Sequence, residues 1–278
     1  MIITRFAPSP TGWLHLGHAL AAWVAYDTAQ SHGGRMLLRF EDIDVTRVRE
    51  ECYAAIEEDL RWLGIEWHGI PWRQTDRAEV YQSALARLSA MDVLYPCFCT
   101  RREIAQMAQA PQQGDGADGL LYPGTCRELS RDEQEERMNR GQRWAWRLDT
   151  AKAQRIRGDI SWRDQRFGLQ SLDPYALGDV VIARKDIGVS YHLAVVVDDA
   201  EQEVSIVTRG EDLFLSTHIH VMLQNLLDLP QPEYQHHVLV CDDEGRRLAK
   251  RHDSLSLRQM RESGLCADDV LRLIQAYR

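Results

Sequence analysis

Three short runs in this 278-residue chain carry side chains whose types and spacing suit chemistry. The first is His15-Leu16-Gly17-His18, directly after Pro8-Ser9-Pro10-Thr11-Gly12. Two imidazoles three positions apart at a helix start lie one turn apart on one face. A helix N-terminus already favours phosphate through its unpaired N–H groups and its dipole. His15, Gly17 and His18 would therefore cradle ATP and stabilise charge on an α-phosphate under attack. A metal would need a third ligand, and none is evident nearby; a helix cap that happens to contain histidine is the plain alternative. The second run is Arg247-Leu248-Ala249-Lys250-Arg251. Such a cationic loop could close over a triphosphate, with Lys250 neutralising charge on the transferred phosphoryl centre and on the departing pyrophosphate. A solvated surface patch is its alternative. The third is Cys97-x-Cys99, followed by Tyr122-x-x-x-Cys126. Two thiolates so close can grip one zinc ion, with later residues closing a tetrahedron. Tyrosine is an unusual ligand, and a set of reduced, partly buried cysteines is the competing reading. Cys52, Cys241 and Cys266 have no such neighbours, and His236-His237 reads as a strand-end pair.

The elements that must position these groups can be read from pattern. Ile2 to Ala7 is a short buried strand, and Pro8, Pro10 and Gly12 impose a stiff turn after it. Gly17 to Gln30 is Ala-rich with apolar residues at helical spacing, and Gly33-Gly34 ends that helix. Met36 to Phe40 is a second strand with Glu41-Asp42 just past its carboxyl end, and Val48 to Leu63 is another amphipathic helix. Strand, helix, strand, helix is the order of a parallel α/β sheet. Ligands bind outside the carboxyl ends of such strands, where the proline turn and Glu41 both fall. From Tyr95 to Arg147 the character changes. Gln109 to Gly119 is polar and rich in Gly and Gln, and the stretch reads as an insertion flanked by cysteines. Val180 to Ala183 and Tyr191 to Asp198 read as strands, Ser216 to Leu227 as a helix, and Ser256 to Arg278 as one or two short helices.

The totals set the bounds. Hydrophobic content of 44% with 27% charged residues is ordinary for a soluble globular protein, and the length allows one large domain or one carrying a sizeable insertion. No apolar run approaches a membrane span. Met1 to Pro8 has one Arg and no apolar signal core, so a cytoplasmic protein is expected. Six cysteines in such a chain do not make a disulfide scaffold. A net charge of −9 argues against a general nucleic-acid coat. It leaves room for a local basic face, and Arg101-Arg102, Arg137 to Arg147, Arg155 to Arg157 and Arg246 to Arg251 are dense enough to form one, unless each is simply a solvated helix face.

Taken together, the runs carry a resemblance. Arg5 to His18 (RFAPSPTGWLHLGH) strongly resembles the signature of glutamyl- and glutaminyl-type class I aminoacyl-tRNA synthetases. Arg39 to Asp44 (RFEDID) resembles their second landmark. Tyr191-His192-Leu193-Ala194, then Val196-Val197-Asp198-Asp199, then Arg209-Gly210-Glu211-Asp212 resembles their third, and Arg247 to Arg251 looks like an altered Lys-Met-Ser-Lys-Ser loop. The match runs from Ile3 to about Asp253. It implies an α/β, Rossmann-type class I synthetase catalytic domain with a zinc-containing insertion and a short helical C-terminal part. The expected limits are 1–94 and 148–235 for the two Rossmann halves, 95–147 for the insertion and 236–278 for the basic loop and tail.

Carried over position by position, the resemblance implies that Arg5 and Arg209 hold the carboxylates of L-glutamate. Glu41 would pair with its ammonium group, and Ala7, Ser9 and Tyr191 would line the pocket. ATP falls to His15, Gly17, His18, Arg247 and Lys250, with His15, His18 and Lys250 catalytic. Two arginines and one acid suit a dicarboxylic amino acid; an uncharged substrate would leave one cation under-compensated. The chain stops at Arg278, soon after the basic loop, so no anticodon-reading domain is expected. In this it resembles a shortened branch of the family that moves activated glutamate to queuosine in the anticodon of tRNA(Asp). The Cys97, Cys99, Tyr122, Cys126 spacing resembles a structural zinc site of that branch. Mg²⁺ with ATP, a monomer, and tRNA(Asp) as partner are further implications. A minimal enzyme charging a tRNA 3′ end and an inactive tRNA-binding paralogue are the alternatives. Arg247 stands where lysine is usual, Ala249 where serine is usual, and Val195 where asparagine is common. These departures put the speed of activation and the handling of the substrate carboxylate in question.

Overall fold

The computed structural model describes residues 1–107, 115–116, 119–173, 178–184, 188–240 and 255–277. Arg247, Ala249 and Lys250, with the rest of the basic run, lie outside the described residues, as does Cys241. Among the described residues no helix is long and apolar enough to cross a membrane.

The expected opening is present. The strand Ile3–Phe6 runs parallel to Arg35–Phe40, with Ile3 opposite Arg35 and Phe6 opposite Leu38, and Trp72–Arg73 extends the sheet in the same direction. The crossover helix is Leu16–Ser31. Its alanines explain how closely it lies on the sheet: Ala19, Ala22, Ala25 and Ala29 are wholly buried, and Thr4 Oγ1 donates to Ala25 O at 2.7 Å. Gly33 follows the helix with φ +62°, and a Cβ on Gly34 would sit 2.1 Å from Ile2 O, so only glycine lets the chain turn back into the sheet there.

A second parallel set is formed by Ile206–Gly210, Glu233–His237 and Ser161–Asp164, the last closed by an antiparallel hairpin to Gly168–Ser171. The two sets meet at a seam. Ser205 N donates to Ile3 O at 2.9 Å, and Arg5 Nη1 donates to Thr208 O at 3.0 Å, so the strands beginning at Ile3 and Ile206 run alongside in one direction. A third, wholly antiparallel sheet orders Gly188–Val189, Val181–Arg184, Ala145–Leu148 and Leu94–Cys97 side by side. It has its own small core of Tyr95, Cys97, Phe98, Tyr122 and Cys126. The short helices Leu257–Glu262 and Ala267–Gln275 return to the first sheet, where Leu257, Val270 and Ile274 join the core around Leu20. Leu257 N donates to Leu14 O at 2.8 Å, which ties this tail to the turn before His15.

One element differs from expectation. Tyr191–Asp198 is not a strand; Tyr191–Glu201 is a helix. Every residue from His192 to Asp199 is buried, between the helices Ala78–Ala90 and Phe214–Leu226. With no solvent face there is no 3.6-residue polar period to read, and three consecutive valines mimic a buried strand.

This helix carries Asp198 and Asp199 into the interior, and their partners tie it to the sheet. Arg39, wholly buried on the second strand, donates from Nη2 to Asp199 Oδ1 at 2.8 Å and from Nη1 to Gln202 Oε1 at 2.7 Å. Asp198 accepts from Gln74 Nε2 at 2.8 Å, Arg77 Nε at 2.7 Å and the Tyr81 hydroxyl at 2.9 Å. Removing one member of a buried charge cluster strands the others. Arg39→Leu is therefore expected to lower the unfolding free energy in urea by about 3–5 kcal/mol; a loss under about 1 kcal/mol, the scale of an exposed pair, would show that solvent screens the cluster.

Candidate active site

The sheet seam opens into a cleft of ≈ 1870 Å³. Arg5, Ala7, Ser9, Glu41, Tyr191 and Arg209, the residues expected around glutamate, all line it, and so do His15, Gly17 and His18, expected around ATP. The structure brings the two sets together. Arg247 and Lys250 fall outside the described residues.

His15 is the N-cap of the Leu16–Ser31 helix, with extended backbone, φ −126° and ψ 178°. Its Nδ1 accepts from Gly17 N at 3.1 Å, while His18 Nδ1 accepts from His15 N at 3.2 Å. This is a reciprocal capping box built from two imidazoles whose ring centroids are 3.8 Å apart. Because each Nδ1 is an acceptor, each neutral ring carries its proton on Nε2. A Cβ on Gly17 would stand 3.1 Å from His15 Cε1, so glycine makes room for the ring.

Glu41 is held by its backbone, whose N–H donates to Pro8 O at 3.1 Å and joins the proline turn to the end of the second strand. Burial pushes its carboxyl up to about 7 against the pull of Arg39 and Arg5. Its neighbour Asp42 serves structure, accepting from the Tyr53 hydroxyl at 2.6 Å and from Thr75 N at 2.8 Å. Arg5 donates from Nε to Asp199 Oδ1 at 3.0 Å. Burial would raise Asp199, but Arg5 and Arg39 outweigh it and hold that carboxyl below its ordinary range. Tyr191 begins its helix at the cleft; burial, with Glu41 nearby, pushes its phenol up. Arg209 Nη1 contacts His220 Nδ1 at 2.9 Å and its Nε donates to His236 Nε2 at 3.2 Å.

At the far wall, the ligand atoms of Cys97, Cys99 and Cys126 lie within 4.8 Å of one another. Cys99 Sγ is 3.5 Å from Cys126 Sγ and 3.6 Å from the Tyr122 hydroxyl. The donor set fits a tetrahedral metal: thiolates about 2.3 Å from zinc stand roughly 3.8 Å apart. Backbone N–H groups already point at the donors, from Phe98 to Cys126 Sγ at 3.4 Å and from Cys126 to the Tyr122 oxygen at 2.9 Å. His236 and His237 join no such cluster among the described residues. Arg101, Arg143, Arg147 and Arg184 also line this wall with Phe98 and Trp144, and no carboxylate does among the described lining residues between Cys97 and Ser190.

His236 and His237 do end a strand, Glu233–His237, but sequence reasoning missed the orienting role of the residues around the arginines: Asp199 behind Arg5, and Thr217, His220, His236 and Asp164 behind Arg209. The adjacent Asp198-Asp199 at the end of an apolar run was the one available signal, since buried carboxylates need partners.

A class of protein with this fold and site is defined by comparison. The family described as tRNA synthetases class I (E and Q), catalytic domain, matches residues 1–275, and the chain belongs to it. Within that family, the chain is 47% identical to the glutamyl-Q tRNA(Asp) synthetase of Rhodobacter capsulatus, over 98% of this chain and 99% of that protein. It is 36% identical to the glutamate–tRNA ligase of Hydrogenobaculum sp., over 99% of this chain and 58% of that protein. The crystal structure of a glutamate tRNA ligase from Elizabethkingia meningosepticum in complex with its amino acid superposes with a TM-score of 0.79 at 26% identity; the chain spans 60% of its length.

In the unliganded protein, the Glu41 carboxyl followed by ¹³C NMR is expected to titrate near pH 7. A midpoint near that of an exposed glutamate, about 4.3, would mean that Arg39 and Arg5 dominate over burial.

Proposed function

We propose that this chain activates L-glutamate with ATP and transfers it to queuosine in the anticodon of tRNA(Asp). The observation that carries the reading is one cleft lined by the glutamate set together with His15, Gly17 and His18 of the ATP set, in a chain 47% identical to a glutamyl-Q tRNA(Asp) synthetase over nearly the full length of both. Arg209 and Arg5 take the two carboxylates, and Glu41 takes the ammonium group once ionised. Ala7, Ser9 and Tyr191 shape the space between. His15 and His18 present Nε2–H donors to the phosphates above Gly17, and Arg247 and Lys250 complete the cationic side. The glutamate α-carboxylate attacks the α-phosphorus of ATP and pyrophosphate leaves. A hydroxyl of the queuosine cyclopentene-diol then attacks the acyl-adenylate and AMP leaves. Proximity and prearranged charge supply the rate. Mg²⁺ accompanies ATP and offsets charge on its phosphates.

The zinc ion assigned to Cys97, Cys99, Tyr122 and Cys126 is structural, since four protein ligands leave no open position. It pins the insertion, 95–147, between the Rossmann halves 1–94 and 148–235, with the tail at 236–278. The single-signed wall of arginines beside Trp144 suits an unpaired RNA loop, whose bases stack and whose phosphates seek cations. A cytoplasmic monomer is the setting this chemistry implies.

The second reading, a minimal ligase charging the 3′ end of a tRNA, draws on the likeness to glutamate–tRNA ligases. Labelled glutamate separates the two. Exchange of ATP with pyrophosphate is expected to require glutamate and to proceed without tRNA, and label is expected only on tRNA from queuosine-containing cells. Label that persists on queuosine-free tRNA, or that enzymatic removal of the 3′-terminal nucleotide before the assay abolishes, would establish the second reading.

Elemental analysis of the purified protein is expected to give one zinc per chain. Cys126→Ser should lose it, and Tyr122→Phe, which leaves every thiolate, should weaken it less. Less than half an equivalent in the unaltered protein would remove the site.

A further inference from the structure

Arg209 differs from Arg5, which also lines the cleft, and from Arg39, buried behind it, in what surrounds it. Arg39 and Arg5 each reach Asp199, at 2.8 and 3.0 Å. Arg209 is only 5% exposed, yet among the described residues no carboxylate lies within ion-pair distance of it. Its donors go to neutral groups: Nη1 to His220 Nδ1, Nε to His236 Nε2 and Nη2 to the Thr217 hydroxyl.

The hydrogen bonds fix the state of both rings. A guanidinium has only donors, so His220 Nδ1 and His236 Nε2 must each present a lone pair. The His220 proton then sits on Nε2, 3.0 Å from His192 Nδ1. The His236 proton sits on Nδ1 and is donated to Asp164 Oδ2 at 2.6 Å. Asp164 is itself held by the backbone N–H groups of Arg166 and Phe167, both at 2.8 Å. Its negative charge therefore stands one imidazole away from Arg209 and fixes the ring that touches it. Burial and the Arg209 charge keep the rings neutral, with His236 lowered to about 4 and His220 held well below its ordinary value.

We propose that His220 and His236 are positioning residues that set selectivity for an acidic amino acid, by holding the Arg209 fork toward the cleft while leaving its positive charge for the ligand's carboxylate to balance. This rests on the glutamate reading above and deepens it. Two other kinds of neighbour would fail. A carboxylate in place of His220 would neutralise Arg209 before any ligand entered, and an amide such as glutamine would then compete with glutamate. An apolar residue would leave buried N–H donors unsatisfied and the fork unanchored. A neutral imidazole whose tautomer is locked from behind satisfies the donor and adds no charge.

The experiment measures glutamate-dependent ATP–pyrophosphate exchange without tRNA, with KM for glutamate and for ATP determined separately. His220→Gln keeps an acceptor and is expected to hold KM for glutamate within about threefold, the scale of one neutral hydrogen bond. His220→Asp supplies a counter-ion and is expected to raise KM for glutamate by about tenfold or more, as loss of a desolvated charge pair does. KM for ATP should stay unchanged, and the preference for glutamate over glutamine should fall. Asp164→Asn carries the same direction, because the His236 ring can then turn an N–H toward Arg209, and it serves should His220→Asp fail to fold. Unchanged KM for glutamate in whichever of these folds, or a parallel rise in both KM values, overturns the proposal alone. Absence of glutamate-dependent exchange in the unaltered protein overturns the substrate reading and the proposal with it.

Discussion

Two adjacent carboxylates, Asp198 and Asp199, sit almost without solvent at the end of the helix Tyr191–Glu201. Buried charges are tolerable only when paired and fully hydrogen-bonded, so these two dictate what must come to them. Asp199 draws in Arg5 from the first strand and Arg39 from the second. Asp198 draws in Gln74, Arg77 and Tyr81 from the segment after the third. One helix end thereby fixes two strands of the sheet and the segment that follows the third. The groups that face the cleft inherit their places from it: Arg5 directly, Glu41 because it follows Arg39 by two residues, and Tyr191 because it opens the same helix.

That pairing also divides charge within the site. Arg5 and Arg39 are compensated by Asp199, whose carboxyl they hold low. Glu41 lies close enough to both arginines to feel them, yet burial still pushes it up to about 7. Arg209 has hydrogen bonds but no counter-charge among the described residues. Left without ligand, the cleft therefore holds an acid that burial keeps raised despite Arg39 Nη2 at 3.7 Å, and a cation short of an acid. A zwitterion with a second carboxylate meets both needs at once, and charge on the ligand counts for more here than shape. Such imperfect compensation is what functional sites are expected to carry while the surrounding fold satisfies its own groups.

The parts of this arrangement legible in the sequence are those made by neighbours along the chain. The strand, proline turn and His15-x-x-His18 helix start depend on propensity, capping and glycine placement within some thirty residues, and they fold as read. The order and spacing of Cys97, Cys99, Tyr122 and Cys126 likewise marked a cluster whose donor atoms do come together. What escaped were contacts between distant positions. Asp199 meets Arg5 across 194 residues and Asp164 meets His236 across 72, and nothing local distinguishes such an acid from a surface one. The helix Tyr191–Glu201 escaped for a related reason. It is buried on every side, so its period vanished and its valines read as β-structure.

The same distance effect governs how the cysteine cluster is coupled to the cleft around Glu41 and Arg209. Cys97 ends the strand Leu94–Cys97, which pairs with Ala145–Leu148, and that strand pairs with Val181–Arg184. The next strand, Gly188–Val189, runs into Ser190, whose N–H donates to Ile182 O at 2.7 Å, and Ser190 is the N-cap of the helix that begins with Tyr191. An antiparallel ladder, irregular only between Val181 and Ala183 among the described residues, therefore leads from the cysteines to the residue that faces Glu41 and Arg209. Strand pairing transmits position with little slack, because a shift of register by one residue would turn every side chain to the opposite face. A metal held at Cys97, Cys99 and Cys126 would anchor one end of this ladder and the Asp198–Asp199 cluster the other. The arginine wall between them, with Arg147 and Arg184 on the ladder itself, is then held in place by both ends.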